Sequence, residues 1–527
     1  MARREGVFFC FFFLQNPILS ETFKILTLAL VGGSHYLLMD EISHVLQDNG
    51  HDVTMLLRVG NIMIPGFNDN GRSVVNYKII PWSTGEENER AFKAFFEDQQ
   101  NEFLDGRQSL SSYLKLMDNL AVQCSVLMNQ SAILNSIRSE NFDIVVVDGF
   151  NPCCFLLVEK LSLPFVVMFP TLIANGQQIG LPCPPSYVPV YQSHLTDRMG
   201  FWERVQNVFM YVGEQFVHRQ VEGLFHNIIK DHYQEGARPV LYEIYQKAEL
   251  WFYNTDLSID FARPLHPNVV YLGGILAKAA QPVPHELEEF IATSGDAGFI
   301  VITLGSMLSS VQRPTLLREM NAGLARMPQK VIWRYQGSKW PAELELAPNV
   351  RILDWIPQND LLGHHKARLF VTHCGMNSLL EAIHHGIPVL GIPLFGDQFD
   401  NMARVSAKNF GIAVPPEQLT AERFATAMMQ LIADPRYKSA AAAQSKIHRS
   451  HPFPPDQRLV RWIEHIIISK GGGHLRPYGT QQPWYQQYLL DVALFLCACF
   501  AAAVYISVKV TRAALSNLCR QNKLKKN

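Results

Sequence analysis

Residues 24–31 (KILTLALV) are apolar at successive rather than alternate positions. Only a strand covered on both faces accommodates that pattern, and a parallel sheet flanked by helices provides the cover. Gly32-Gly33-Ser34-His35 then turns the chain, and Leu38, Ile42, Val45 and Leu46 recur at helical spacing up to Gly50. Residues 52–57 read as the next strand, so the chain opens as a βαβ unit. The rhythm returns with a strand at 143–147 (DIVVV), a helix at 152–161 and a strand at 165–169. Residues 191–249 carry aromatics throughout and predict helices lying over a cleft. At 273–284 (GGILAKAAQPVP) Gly, Ala and Pro take over, which is linker composition. A second series follows, with strands at 299–304, 330–334, 367–372 and 389–392 and helices at 314–325 and after Gly375. The expected fold class is α/β, with two doubly wound Rossmann-like domains facing a cleft. The chain has 527 residues, 48% of them hydrophobic and 18% charged, which is enough material for two cores. A formal net charge of −1 leaves no basic footprint for nucleic acid.

The two ends differ from the body. Arg3 and Arg4 precede a short apolar core at 6–14 (GVFFCFFFL), and Ser20 suits a cleavage point, as in a secretory signal peptide. Residues 492–508 contain no charge, and Leu489 and Leu490 extend the stretch across Asp491 to the length of a membrane-spanning helix. Trp484, Tyr485 and Tyr488 occupy the place of an interfacial aromatic belt. Lys509, Arg512, Arg520, Lys523, Lys525 and Lys526 follow without an acidic residue, which places the tail in the cytosol and the body in the lumen. Lys523 and Lys525 have the spacing of a dilysine retrieval signal, so the endoplasmic reticulum membrane is expected, in a single-pass type I arrangement. Asn129-Gln130-Ser131 is a permitted glycosylation sequon. Cys124, Cys153, Cys154, Cys183 and Cys374 are odd in number and irregularly spaced. Neither a disulfide framework nor a zinc site is expected from them.

The most informative stretch is 355–398. A buried strand delivers His373, and Cys374-Gly375-Met376-Asn377-Ser378 opens a helix carrying Leu379, Leu380, Ala382 and Ile383. In an open parallel sheet, ligands sit outside the carboxyl ends of strands, and free N–H groups at a helix start favour a phosphate. Gly375 lets the backbone come close, while Asn377 and Ser378 add donors. Glu381 lies four residues after Asn377, on the same helix face, placed to accept from ribose hydroxyls. Singly these residues read as a cap, a solvated charge and a strand end. Together, directly after a buried strand, they point to a nucleotide diphosphate.

Trp355-Ile356-Pro357-Gln358, the His373–Ser378 stretch, Glu381 and Gly396-Asp397-Gln398 closely resemble the UDP-glycosyltransferase signature. The resemblance extends through Gly33-Ser34-His35, Leu304-Gly305-Ser306, the membrane helix and the tail, and so covers nearly the whole chain. Within that superfamily the chain is most similar to the vertebrate UDP-glucuronosyltransferases, family 3, subfamily A. The resemblance implies a GT-B fold plus one C-terminal transmembrane helix, with a UDP-sugar as co-substrate and neither cofactor nor metal. It implies that Trp355 stacks on uracil and Gln358 contacts uridine. Ser306 and His373 would hold the diphosphate with Gly375, Asn377 and Ser378 beside it, Glu381 the ribose, and Asp397 and Gln398 the sugar hydroxyls. Asp397 also fits the cap of a helix starting near Phe399. The expected divisions are 1–20 signal peptide, 21–284 acceptor-binding domain, 285–448 donor-binding domain, 449–488 return helix and juxtamembrane segment, 489–508 transmembrane helix and 509–527 basic tail.

A transferase of this kind needs a base. His35 and Asp148 both stand at strand carboxyl ends, where a carboxylate can orient one imidazole nitrogen and steady the imidazolium. The resemblance assigns them those roles, and in-line attack on an α-linked donor then gives a β-glycoside. Relatives commonly have Asp-Pro where this chain has Asp148-Gly149, so Asp148 also reads as a turn residue. Glucuronate, the sugar in the family name, calls for a cation that the sequence does not single out, and the family 3 resemblance implies instead a neutral donor such as UDP-N-acetylglucosamine or UDP-glucose. Aromatics such as Phe92, Phe95 and Phe96 suit a small lipophilic acceptor, though such residues also build cores. Assembly with itself or with relatives stays open. Three rivals exist: an NAD-dependent oxidoreductase, a non-catalytic lipid-binding relative and a membrane-lipid galactosyltransferase. The first lacks G-x-G-x-x-G at the opening turn, the second is disfavoured by an intact His35, and the third shares every motif.

Overall fold

The computed structural model describes residues 21–59, 75–104, 109–305 and 313–524. The expected signal peptide, Ser306, Lys525 and Lys526 lie outside the described residues. The chain forms two compact units, Met1–Gly472 and Gly473–Asn527.

The first unit holds two parallel sheets. One comprises β1 (Lys24–Ala29), β2 (Asp52–Arg58), β3 (Lys78–Trp82), β4 (Ile144–Asp148), β5 (Phe165–Phe169), β6 (Leu250–Tyr253) and β7 (Val269–Tyr271), in the order β3-β2-β1-β4-β5-β6-β7. The other comprises β8 (Phe299–Thr303), β9 (Lys330–Arg334), β10 (Val350–Leu353), β11 (Ala367–Thr372), β12 (Val389–Gly391) and β13 (Gly411–Ala413), in the order β10-β9-β8-β11-β12-β13. The central strands β4, β5 and β8 are buried along their whole length, which is why their sequences are unbroken apolar runs. Helices cover both faces. Leu26, Val147, Phe155, Val167 and Trp251 belong to one core, and Ile302, Leu317, Trp333, Val371 and Phe424 to another. Each such side chain stabilises the fold by roughly 1.5–3 kcal/mol through burial.

Strand order fixes where a ligand goes. In each sheet the chain walks outward from its first strand and then crosses to that strand's other side. The crevice between β1 and β4, and that between β8 and β11, are therefore the topological switch points.

The cysteine expectation needs correction. Cys124, in the helix Leu110–Met128, is disulfide-bonded to Cys153, in the helix Pro152–Leu161, with Cα atoms 5.4 Å apart. Successive helical residues point about 100° apart. Cys153 can therefore face its partner while Cys154 stays buried and unpaired beside it. An odd total concealed the pair because three further thiols of the first unit, Cys154, Cys183 and Cys374, remain free.

In the second unit, the helix Leu490–Leu524 contains a candidate span, Leu490–Arg520, that is nowhere buried and holds an 18-residue window of mean hydropathy 2.2. It is long and apolar enough to cross a bilayer once, and Trp484, Tyr485 and Tyr488 before it are exposed.

Candidate active site

After β1 the chain reverses through Gly33, whose φ of +66° is one that side-chain-bearing residues rarely adopt, and enters the helix Ser34–Asp48. His35 therefore stands over the carboxyl end of β1, one strand from Asp148, the last residue of β4. His35 Nδ1 and Asp148 Oδ2 are 2.7 Å apart, and Asp148 Oδ1 accepts from the Phe150 N–H at 2.9 Å. The carboxylate thus does two things: it closes a turn and it holds the imidazole. The Asp148 side chain is 3% exposed and that of His35 19%, with the ring packed edge-on against Phe150. Burial alone would lower the His35 pKa, but charge attraction and the hydrogen bond from Asp148, aided by Asp397, raise it above its ordinary 6.5. Nδ1 is occupied by the carboxylate, which leaves Nε2 for a substrate.

The facing half is built the same way. His373 follows β11 and Gly305 follows β8, so both flank the second switch point. The His373 ring is packed between two glycines. A Cβ on Gly305, which has φ +85°, would lie 2.6 Å from Nε2, and one on Gly375 would lie 2.7 Å from it. Burial, reinforced by the Arg334 charge, depresses the His373 pKa to about 4, so the ring is neutral near pH 7 and acts as a neutral hydrogen-bonding group. Gly375 caps the helix Met376–His385 with no side-chain bond at its start, leaving its first N–H groups to the cleft. Gln358 Nε2 donates to Ser378 Oγ at 3.1 Å and to the Glu381 carboxylate. Burial pushes the Glu381 carboxyl up to about 8 despite the hydrogen bond from Gln358. Trp355 is 40% exposed, with one face under the Arg334 guanidinium, 4.5 Å from the ring centre.

Asp397 and Gln398 behave differently. Gln398 is buried, and its Oε1 accepts from the N–H groups of Leu394 and Phe395, so that oxygen holds its own loop. Asp397 occupies the cap position of the helix Gln398–Ala407 but makes no capping bond. Its Oδ2 instead accepts from Asn401 Nδ2 at 2.7 Å and from Thr171 Oγ1 of the opposite sheet. Burial raises the Asp397 carboxyl, with those bonds and His35 pulling it back.

His35, Trp355, Gln358, His373, Gly375, Glu381, Asp397 and Gln398 line one cleft of about 1270 Å³, with Asp148 behind His35. One side carries Trp355, His373, Asn377 and Glu381; the other carries His35, Phe92, Phe95, Phe96 and Tyr113. Sequence reasoning missed Arg334, Thr171 and Asn254. Arg334 ends β9, and its buried Nε has no partner among the described residues. Burial lowers its pKa to about 10, which leaves it charged. Thr171 follows β5 by two residues, and Asn254, next after β6, donates to Asn377 Oδ1 at 2.6 Å. All three sit at strand carboxyl ends, the same signal that singled out His35. Among the described residues no cluster of three or more His, Cys, Asp or Glu gathers as a metal site. Asn129 is exposed at the end of its helix.

A family model described as UDP-glucoronosyl and UDP-glucosyl transferase matches residues 24–525. The chain belongs to this family. UDP-glucuronosyltransferase 3A2 of Homo sapiens is 49% identical over 97% of this chain and 97% of its own. UDP-glucuronosyltransferase 3A1 of Xenopus laevis is 48% identical over 98% of each. Among solved structures, CalG4, the calicheamicin glycosyltransferase, superposes with a TM-score of 0.58 at 18% identity, covering 85% of this chain and 99% of that one. The glycosyltransferase VinC, solved with dTDP, gives 0.57 at 17% over 85% and 100%. The two-sheet architecture of this UDP-glycosyltransferase is accordingly the GT-B fold of such enzymes, and its reaction is glycosyl transfer from a UDP-sugar.

Proposed function

We propose that this family member transfers a sugar (glucuronic acid, N-acetylglucosamine or glucose) from an α-linked UDP-sugar to the hydroxyl of a small lipophilic acceptor, with inversion, giving a β-glycoside. The observation that carries this is the His35–Asp148 pair at one switch point, in the same cleft as the Gly375 helix start at the other. His35 Nε2 takes the acceptor proton as the oxygen attacks the anomeric carbon. The bond from that carbon to the diphosphate breaks, UDP departs, and Asp148 steadies the imidazolium. Neutral His373, the N–H groups after Gly375, Asn377 and Ser378 cradle the diphosphate, and Arg334 supplies positive charge beside it. Trp355 stacks on the base, Gln358 and Glu381 take the uridine, and Asp397 and Gln398 hold sugar hydroxyls. Holding nucleophile and donor in one closed cleft contributes through orientation and charge stabilisation.

The aromatic side of the cleft, with Phe92, Phe95 and Tyr113, supports a hydrophobic acceptor. We place the body in the lumen of the endoplasmic reticulum, anchored by the C-terminal helix with its basic tail in the cytosol. The Cys124–Cys153 bond, an exposed Asn129 sequon and the basic tail support this placement. Full-length protein in membranes, offered radiolabelled UDP-glucuronic acid, UDP-N-acetylglucosamine and UDP-glucose with phenolic and steroid acceptors, tests the activity and names the sugar. A β-glycoside is expected with at least one donor, lost in His35→Ala. Turnover that survives His35→Ala would remove His35 as the base.

A further inference from the structure

Asp397 is gripped from across the cleft. The segment after β5 reaches the loop holding Asp397 at several points. Asp400 accepts from the backbone N–H groups of Gln192 and His194 at 2.5 and 2.9 Å. The His194 ring stacks on Phe399, with centroids 5.1 Å apart. Between β5 and those contacts lies Thr171, half-buried, whose hydroxyl donates to Asp397 Oδ2. Asn401 donates to the same oxygen. With both bonds falling on Oδ2, the carboxylate cannot rotate freely, and Oδ1 is turned to a definite side.

We propose that Thr171 is a positioning residue for the donor sugar, bonding Asp397 across the closed cleft so that the carboxylate meets the sugar hydroxyls in one orientation. The proposal rests on Asp397 being the sugar-hydroxyl acceptor. Thr171 follows β5 of the sheet over whose carboxyl end His35 stands, so the same bond ties the sugar's position to that of the base. Its hydroxyl is not what holds the loop in place, because Asp400 and Asn401 already do that through separate bonds. Removing it should change sugar handling while leaving the fold intact.

The test uses full-length protein in membranes, with 4-nitrophenol as acceptor and whichever of UDP-glucose, UDP-N-acetylglucosamine and UDP-glucuronic acid turns over. Four variants are compared with the parent: Thr171→Val, Thr171→Ser, Asp397→Asn and the double Thr171→Val/Asp397→Asn. Thr171→Val should raise the KM of the UDP-sugar about tenfold, the scale of one lost hydrogen bond to a carboxylate. Inhibition by UDP, which carries no sugar, should be unchanged, as should thermal stability. Thr171→Ser should restore the KM. The double variant should be no worse than Asp397→Asn within about twofold, because both changes break one interaction. If Thr171→Val leaves the KM unmoved while Asp397→Asn raises it, Thr171 is idle and Asp397 keeps its role. An unchanged KM in Asp397→Asn removes the sugar-binding role itself. Equal weakening of UDP and UDP-sugar by Thr171→Val would make it a general closure contact and overturn the proposal.

Discussion

At the imidazole of His35 two effects oppose each other. Burial disfavours the charged ring, Asp148 and Asp397 favour it, and the balance lies above the ordinary 6.5. If His35 is the base, as proposed, it works only when neutral, so kcat/KM should rise with pH through a limb centred above about 6.5. Asp148→Asn removes a raising influence and leaves burial, so the limb should move to lower pH while kcat falls by about a hundredfold or more. A pH–rate profile of the two proteins checks both signs. Glu381 offers a second test through stability. Its folded pKa of about 8 exceeds the ordinary 4.5, so the folded state favours the protonated form and loses stability as pH rises through that window. Glu381→Gln, a neutral mimic, should gain in melting temperature over the parent as pH rises from about 5 to 8. It should also bind UDP more weakly.

Among the elements, the glycine turns at the two switch points place the chemistry. Gly305→Ala would put a methyl 2.6 Å from His373 Nε2 at a φ of +85°. Strain of this kind costs about 1–3 kcal/mol. Differential scanning fluorimetry should show a lower melting temperature, and UDP affinity should drop because the ring must move. The elements legible in the sequence were those with unbroken apolar runs, such as β1, β4 and β8, and those followed by Gly-rich turns. β3 was not legible because KIIPW is short, carries Pro81 and is buried only at Trp82. The three helices between β3 and β4, and the short strands β6 and β7, lacked comparable boundaries. Local pattern also placed His35, Asp148 and His373 correctly at strand ends. What it could not give was pairing across distance. Thr171 and Asp397 lie 226 residues apart, and the cysteines of the disulfide 29, and only the folded chain brings either pair together.

For the molecule as a whole, a cleft between two sheets does what neither half does alone in the proposed reaction, since one side carries the proposed base, His35, and the other the helix start proposed to cradle the diphosphate. The proposed luminal placement of the body predicts the outcome of a protease experiment. In sealed microsomes the body should be spared and only the tail trimmed, until detergent opens the vesicles; trimming of the body beforehand would reverse the orientation. Donor binding is more basic still, because every catalytic role depends on it. The most direct test is thermal unfolding of the detergent-solubilised full-length protein in EDTA, with and without saturating UDP. Binding at about one hundred times the dissociation constant stabilises a fold by about 2.7 kcal/mol. UDP should therefore raise the midpoint by several degrees in the parent and His35→Ala proteins, and much less in Gly305→Ala. No shift in the parent would contradict a UDP site at the start of the Gly375 helix.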